Sequence, residues 1–264
     1  MSDRPEISPL LKWIGGKRWL APKLAQYYSP SKRLVDPFVG GMSIPLGLRA
    51  ERAVISDINP HLINLYRQLQ AGLTWTPDSQ VAFENTEETY YENREKFNVL
   101  CRTKNYWTRE GALLFYYLNR SCFNGLCRFN QEGLYNAAYG KYKRLHYKTE
   151  FEEYKDAMRG WVILCGDFQN IPLEPDDFIY ADPPYNNVFT KFTPEDFGWD
   201  DQERLAKWLA NHTGRVIASN SYTDRIIELY KGLGFHVYVG SAPRRVSCDG
   251  NREDAQEMLA FRNF

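Results

Sequence analysis

Short apolar runs alternate with longer segments of helical spacing over most of this chain. The runs centre on Val35, Ile55, Ile163, Ile179, Ile217, Val237 and Leu259. Each is too short for a buried helix and reads as a strand covered on both faces. Between them, Ile44–Arg49, Pro60–Leu69, Gln202–Ala210 and Thr223–Gly232 carry apolar residues at helical spacing. Strands alternating with helices predict an α/β fold with a mainly parallel sheet. The last two runs are separated by the polar link Arg244–Asn251, which predicts a closing hairpin.

The alternation breaks between Gly72 and Gly160. That stretch is polar, aromatic and mainly helical in pattern, with Arg109–Leu118 its clearest helix. It predicts a subdomain, residues 72–160, inserted into a sheet domain made of residues 1–71 and 161–264. The helix leaves through Asn124-Gly125, a turn dipeptide. Residues 126–142 then read as a loop and hairpin presenting arginines and amides.

Charge sharpens this division. The whole chain balances at 33 basic and 33 acidic residues, so composition alone announces no polyanionic partner. From Arg102 to Arg144, however, Arg102, Lys104, Arg109, Arg120, Arg128, Lys141, Lys143 and Arg144 face only Glu110 and Glu132. Tyr106, Trp107, Phe123, Phe129, Tyr135, Tyr139 and Tyr142 lie among them. A basic stripe interleaved with aromatics is the footprint expected of a phosphate-backbone surface. The five cysteines (Cys101, Cys122, Cys127, Cys165 and Cys248) form no C-x-x-C, and an odd count argues against a disulfide framework. Cys122 and Cys127 have no histidine near them in sequence, so no metal site is expected. No apolar run is long enough to span a bilayer, and Met1–Glu6 lacks a signal pattern. A cytoplasmic monomer without membrane contact is the expectation.

The richest stretch is Phe178-Ile179-Tyr180-Ala181-Asp182-Pro183-Pro184-Tyr185. Two prolines end the strand, leaving Asp182 at its carboxyl end, where open α/β sheets place their ligands. Pro183 has no N–H, so its only backbone polar group is an acceptor carbonyl beside the Asp182 carboxylate. Two adjacent acceptors suit an exocyclic amine, and Tyr185 adds a flat face for a planar base. The competing structural account is a rigid turn with Tyr185 in the core. Upstream, Asp36-Pro37-Phe38-Val39-Gly40-Gly41 follows the first strand, and Asp57 closes the second about 20 positions later, where an acid holds ribose hydroxyls. Helix capping is the alternative for Asp57, although Asn59 before Pro60 suits that role better. Gly15-Gly16 precedes a helical pattern beginning near Arg18, whose start could receive an anion. Gly15-Gly16-Lys17 is too short for a Walker loop.

Five motifs in register carry a family resemblance: Lys12-Trp13-Ile14-Gly15-Gly16-Lys17, Asp36–Gly41, Asp57-Ile58-Asn59, Asn119–Asn130 and Asp182–Tyr185. From Leu11 to Phe261 the chain resembles Dam-type DNA adenine-N6 methyltransferases of the alpha group, which use S-adenosylmethionine. The resemblance implies a Rossmann-like class I methyltransferase sheet of seven strands, the last antiparallel, with residues 72–160 as target-recognition subdomain. It implies double-stranded DNA as partner and GATC or a related short sequence as site. Cofactor positions would be Trp13, Lys17, Phe38, Gly40, Asp57 and Asp182, with Asp167 and Phe168 holding and stacking the cofactor adenine. The catalytic positions would be Asp182, Pro183 and Tyr185. Lys12 and Arg128 match base-reading positions, and Phe123 and Asn124 match the gap left by a flipped base. Arg120, Leu126, Asn136, Tyr139 and Lys141 complete the expected DNA surface. One departure stands out: Asn136-Ala137-Ala138 replaces the family's Asn-Val-Pro, where the hairpin would meet an outer base pair. The same acceptor chemistry serves cytosine N4 or adenine in RNA, and a catalytically dead nucleic-acid binder is the rival of another class. A role in phage modification, in restriction partnership or in regulation stays open.

Overall fold

The structure, a computed structural model, describes residues 7–76, 79, 81–185, 197–242 and 255–264. The sheet strands are β1 (Leu34–Asp36), β2 (Ala53–Asp57), β3 (Trp161–Cys165), β4 (Phe178–Ala181), β5 (Val216–Ser221), β6 (His236–Ala242) and β7 (Ala255–Arg262). The helices are α1 (Ala21–Leu24), α2 (Ser43–Gly47), α3 (Pro60–Gln70), α4 (Glu87–Arg102), α5 (Arg109–Ser121), α6 (Glu152–Ala157), α7 (Trp199–Ala210) and α8 (Asp224–Gly232). The strands form one sheet in the order β3-β2-β1-β4-β5-β7-β6. β1 to β5 are parallel, while β7 runs antiparallel between β5 and β6. This is the seven-stranded α/β architecture expected, down to the antiparallel last strand.

Strand alternation explains the two layers. Leu34, Ile55, Phe178, Tyr180 and Ile217 share a cluster with α3 and α5 on one face. Val35, Val54, Ile179, Ala181, Val216 and Ala218 join α7 and α8 on the other. Successive strand residues point to opposite faces, so both faces must be apolar when both are covered. The inserted segment was expected to stand apart. Instead α5 lies on α3 and contributes Leu114, Phe115 and Leu118 to the same core as the sheet.

β1 pairs with both β2 and β4, through Leu34 opposite Ala53 and opposite Phe178. The chain reverses its winding between those two pairings, which opens a crevice at the strands' carboxyl ends. Asn59 caps α3 with its side chain, accepting from the His61 and Leu62 amides, which frees Asp57 from that task. One local expectation changes. Helix α1 starts only at Ala21, is four residues long and has no side-chain cap. Gly15-Gly16 therefore introduces turns, and no helix end there receives an anion. The polar link Arg244–Asn251, with Cys248, lies outside the described residues. No helix among the described residues is long and apolar enough to cross a membrane.

Candidate active site

Three acids converge where β1, β2 and β4 end: Asp36, Asp57 and Asp182. The Asp182 carboxylate is held from behind. Its Oδ1 accepts from Ser219 Oγ at 2.7 Å, and Ser219 Oγ in turn lies 3.0 Å from the Tyr180 hydroxyl. Its Oδ2 lies 3.2 Å from the Lys17 ammonium, which also reaches Glu257 at 3.3 Å and donates to the Gly15 carbonyl at 3.1 Å. Burial opposes charge on Lys17, but the two carboxylates outweigh it and raise its pKa. The Tyr185 ring lies 5.0 Å from that ammonium. Burial first, then the charges of Asp182 and Glu257, push the Tyr185 hydroxyl well above the phenol range.

The Asp-Pro-Pro-Tyr backbone is braced too. Gln202 Nε2 donates to the Pro184 carbonyl at 2.8 Å, and Asn220 Nδ2 donates to Gln202 Oε1 at 2.8 Å. Ser219, Asn220 and Gln202 are fully buried, so this is a closed polar network rather than surface decoration. Fixed acceptors lose little on meeting a ligand.

Asp57 is half-buried, and its carboxylate accepts one amide on each oxygen, from Asn59 at 2.9 Å and from Gly40 at 3.1 Å. Desolvation of that carboxylate raises its pKa to about 6 despite those donors. Asp36 is driven well above the carboxylate range by burial, with Asp182 and Asp57 adding repulsion. The glycine turn serves Trp13: a Cβ on Gly40 would stand 2.7 Å from its Nε1, and one on Gly41 2.9 Å from its Cβ. Trp13 thus walls the turn, a closeness only glycine allows.

Asp167 and Phe168 are less open than expected. Asp167 is paired with Arg204 at 2.8 Å, and the Arg204 guanidinium lies 4.6 Å over the Phe168 ring. Phe168 is 3% exposed and packs against Trp208. Phe38, 5.7 Å from Phe168, is partly exposed at this end, as is Phe197, 5.5 Å from Phe38.

The expected DNA-facing residues divide into two groups. Phe123 (50% exposed), Asn124, Arg128 and Lys141 project outward. Asn124 and Gly125 both have positive φ, and a Cβ on Gly125 would meet Lys12 Cβ at 2.4 Å. The Asn119 side chain clamps Lys12, accepting from its amide and donating to its carbonyl, both at 2.9 Å. The Lys12 ammonium rests 3.7 Å over Tyr142 and donates to the Arg120 carbonyl at 3.1 Å. Burial, with Arg120 nearby, lowers its pKa.

The other group is committed to the fold. The Arg120 guanidinium donates to the carbonyls of His146, through Nε at 2.8 Å, and Leu10 at 3.4 Å. The Tyr139 hydroxyl donates to Asn85 at 2.9 Å. Leu126 is half-buried, its carbonyl accepting from Tyr135. Asn136 aims Arg128, taking Nε on its side-chain oxygen at 2.8 Å and Nη2 on its carbonyl at 3.0 Å. The backbone here pairs as a hairpin, with bridges Phe129–Tyr135 and Cys122–Tyr139.

Several site residues escaped the sequence reading: Ser219, Asn220, Gln202 and Glu257. Ser219, Asn220 and Glu257 gave a signal as polar residues ending or opening the apolar strands β5 and β7, while Gln202 sits on the buried face of α7. Asn59 and His61 form a further link. Asn59 Nδ2 lies 3.9 Å from Cys127 Sγ, and the His61 ring stacks on Phe129 at 5.0 Å. They join the Asp57 loop to the hairpin that carries Arg128. Among the described residues no group of His, Cys, Asp and Glu could hold a metal ion.

Comparison with known proteins is in keeping with this site. A family model described as D12 class N6 adenine-specific DNA methyltransferase matches residues 13–246. The Retron Ec67 DNA adenine methylase of Escherichia coli is 32% identical over 263 residues, covering 96% of this chain and 91% of that protein. The DNA adenine methylase of Vibrio cholerae serotype O1 (strain O395) is 33% identical over 269 residues, covering 95% and 94%. The DNA N-6-adenine-methyltransferase of Escherichia phage P1 is 35% identical over 267 residues, covering 96% of this chain and 35% of that longer protein.

Proposed function

Because the chain belongs to the D12 class of N6 adenine-specific DNA methyltransferases, we propose that it methylates a flipped-out adenine in GATC, with S-adenosylmethionine as donor. The observation that carries this is the fixed pair of acceptors at the end of β4. The Asp182 carboxylate is held by Ser219 and Lys17, on a backbone pinned by Gln202.

The residues present fit the cofactor. Asp57 offers ribose hydroxyls a carboxylate whose oxygens each hold one backbone donor. Phe38 supplies the aromatic face that Phe168, beneath Arg204, does not. Asp167, expected at the same adenine, would have to share Arg204 to contribute. Trp13 and Gly40 would close the wall beside it, and Lys17 would neighbour the reacting end. When bound, S-adenosylmethionine supplies an electrophilic methyl on a sulfonium.

The exocyclic nitrogen of adenine is a poor nucleophile because its lone pair is delocalised into the ring. The Asp182 carboxylate and the Pro183 carbonyl accept hydrogen bonds from its two N–H groups, pull it toward tetrahedral geometry and free that lone pair. Positioning supplies much of the rate. The Asp182 charge stabilises the positive charge that develops on nitrogen and accepts the proton that nitrogen then sheds. Tyr185 provides the stacking face.

In recognition, Arg128 reads a guanine. Asn136 occupies its Nε side and leaves the Nη1–Nη2 edge for a two-bond contact. Lys12 swings from Tyr142 to an outer guanine, Phe123 and Asn124 fill the gap left by the base, and Lys141 contacts phosphate. Leu126, Tyr139 and Arg120 support this surface from within. Digestion of treated DNA with nucleases that respond to adenine methylation in GATC tests the proposal: protection confined to GATC supports it, and protection elsewhere assigns another site.

A further inference from the structure

One largely buried ionisable side chain at the carboxyl end of the sheet has no part in holding the amine: Glu257. It lies near the start of β7, opposite Ser221 of β5. Because β7 is antiparallel, its first residues lie where the parallel strands finish, beside Asp182. Lys17 stands between the two carboxylates, 3.2 Å from Asp182 and 3.3 Å from Glu257, with side-chain exposures of 5%, 19% and 13%.

The charge count is the point. Lys17 and Asp182 alone would form a neutral pair, and the carboxylate that must stabilise a cation would already be neutralised. Two carboxylates sharing one ammonium leave one negative charge uncompensated within the triad. Burying such a charge is costly. An apolar strand has no packing need for it, since its neighbours Met258 and Ala260 fill the core. A cation arriving at the same strand ends would supply the missing partner.

We propose that Glu257 is a positioning residue that draws the Lys17 charge away from Asp182 and so tunes the site to favour a sulfonium over a neutral thioether. This rests on the assignment of S-adenosylmethionine as donor. It goes beyond that assignment by naming the residue that separates substrate from spent product, S-adenosylhomocysteine, which lacks the methyl group and the positive charge on sulfur.

The test is calorimetric titration of S-adenosylmethionine and S-adenosylhomocysteine into the whole protein and its Glu257→Gln variant, with thermal melting to confirm folding. A unit charge about 10 Å away, at an effective dielectric near 20, is worth roughly a tenfold change in affinity. Glu257→Gln should therefore shift the affinity ratio toward the thioether by roughly tenfold. Glu257→Asp, which keeps the charge, should restore most of the ratio, and the equally neutral Glu257→Ala takes the place of Glu257→Gln should that variant not fold. Equal weakening of both ligands, an unchanged ratio, or a Glu257→Asp ratio matching that of the neutral variant would overturn the inference. Failure of the unmutated protein to bind either molecule would instead overturn the donor assignment.

Discussion

Replacing Asp57 with Asn should separate binding from stability. The Asp57 carboxylate is set deep in the crevice, and desolvation moves its pKa from 3.8 to about 6. The native state therefore holds the proton more tightly than the unfolded chain. Ionised Asp57 costs stability above about pH 6, and that cost fades as pH falls toward the unfolded value. The shift corresponds to about 3 kcal/mol at pH near 7.5 and about 1 kcal/mol at pH near 4.5. The substituted amide is neutral throughout but loses an acceptor toward either Gly40 or Asn59, at a cost independent of pH. Taking the difference between the two pH values removes that cost. Relative to the unmutated protein without ligand, Asp57→Asn should gain about 2 kcal/mol on going from about pH 4.5 to about pH 7.5. Urea unfolding of both proteins at each pH measures this. Calorimetry should also show weaker S-adenosylmethionine binding and little change in DNA binding. A stability difference independent of pH would refute the reasoning, and unchanged cofactor affinity would remove Asp57 from the binding site.

Asp182→Ala should abolish methyl transfer with folding intact, since it removes an acceptor at a strand end and opens no large core cavity; circular dichroism and a transfer assay check both. Ser219→Ala should lower kcat by about tenfold with KM for DNA little changed, because it frees the carboxylate to turn away from the amine; steady-state kinetics on one duplex separates the two. Arg128→Ala should relax the preference at one inner base pair by about 1–3 kcal/mol, whereas a mere phosphate contact would weaken all sequences alike. Because Ala138 stands where the resemblance to Dam-type enzymes implies a proline, the unmutated protein should discriminate weakly at an outer pair. Methylation kinetics on singly substituted GATC duplexes measures both.

The sheet was legible because its strands are buried on both faces and so read as uninterrupted apolar runs. The Asp182 position was legible for a similar local reason, since two prolines must end the strand where they stand. Three other features were not. Helix α1 shrank to four residues because apolar spacing does not show where the turns after Gly15-Gly16 give way to helix. The insertion was read as separate because its polarity hides that α5 buries nearly a whole helix against α3. Arg120 and Tyr139 looked like DNA contacts because residue type shows charge and aromaticity, not direction. Their polar groups turn inward to carbonyls of Leu10, His146 and Asn85, partners that only the folded chain brings near. Glu257 and Ser219 escaped for the same reason, lying 75 and 37 positions beyond Asp182 in sequence.

The most direct test incubates the protein with S-adenosylmethionine labelled in its methyl group and duplex DNA containing GATC, then hydrolyses the DNA and separates the nucleosides. Label should appear in N6-methyladenosine of the deoxy series, depend on the GATC site and vanish with Asp182→Ala. Label in N4-methylcytosine, in RNA supplied as competitor, or retained in full by Asp182→Ala would contradict the account.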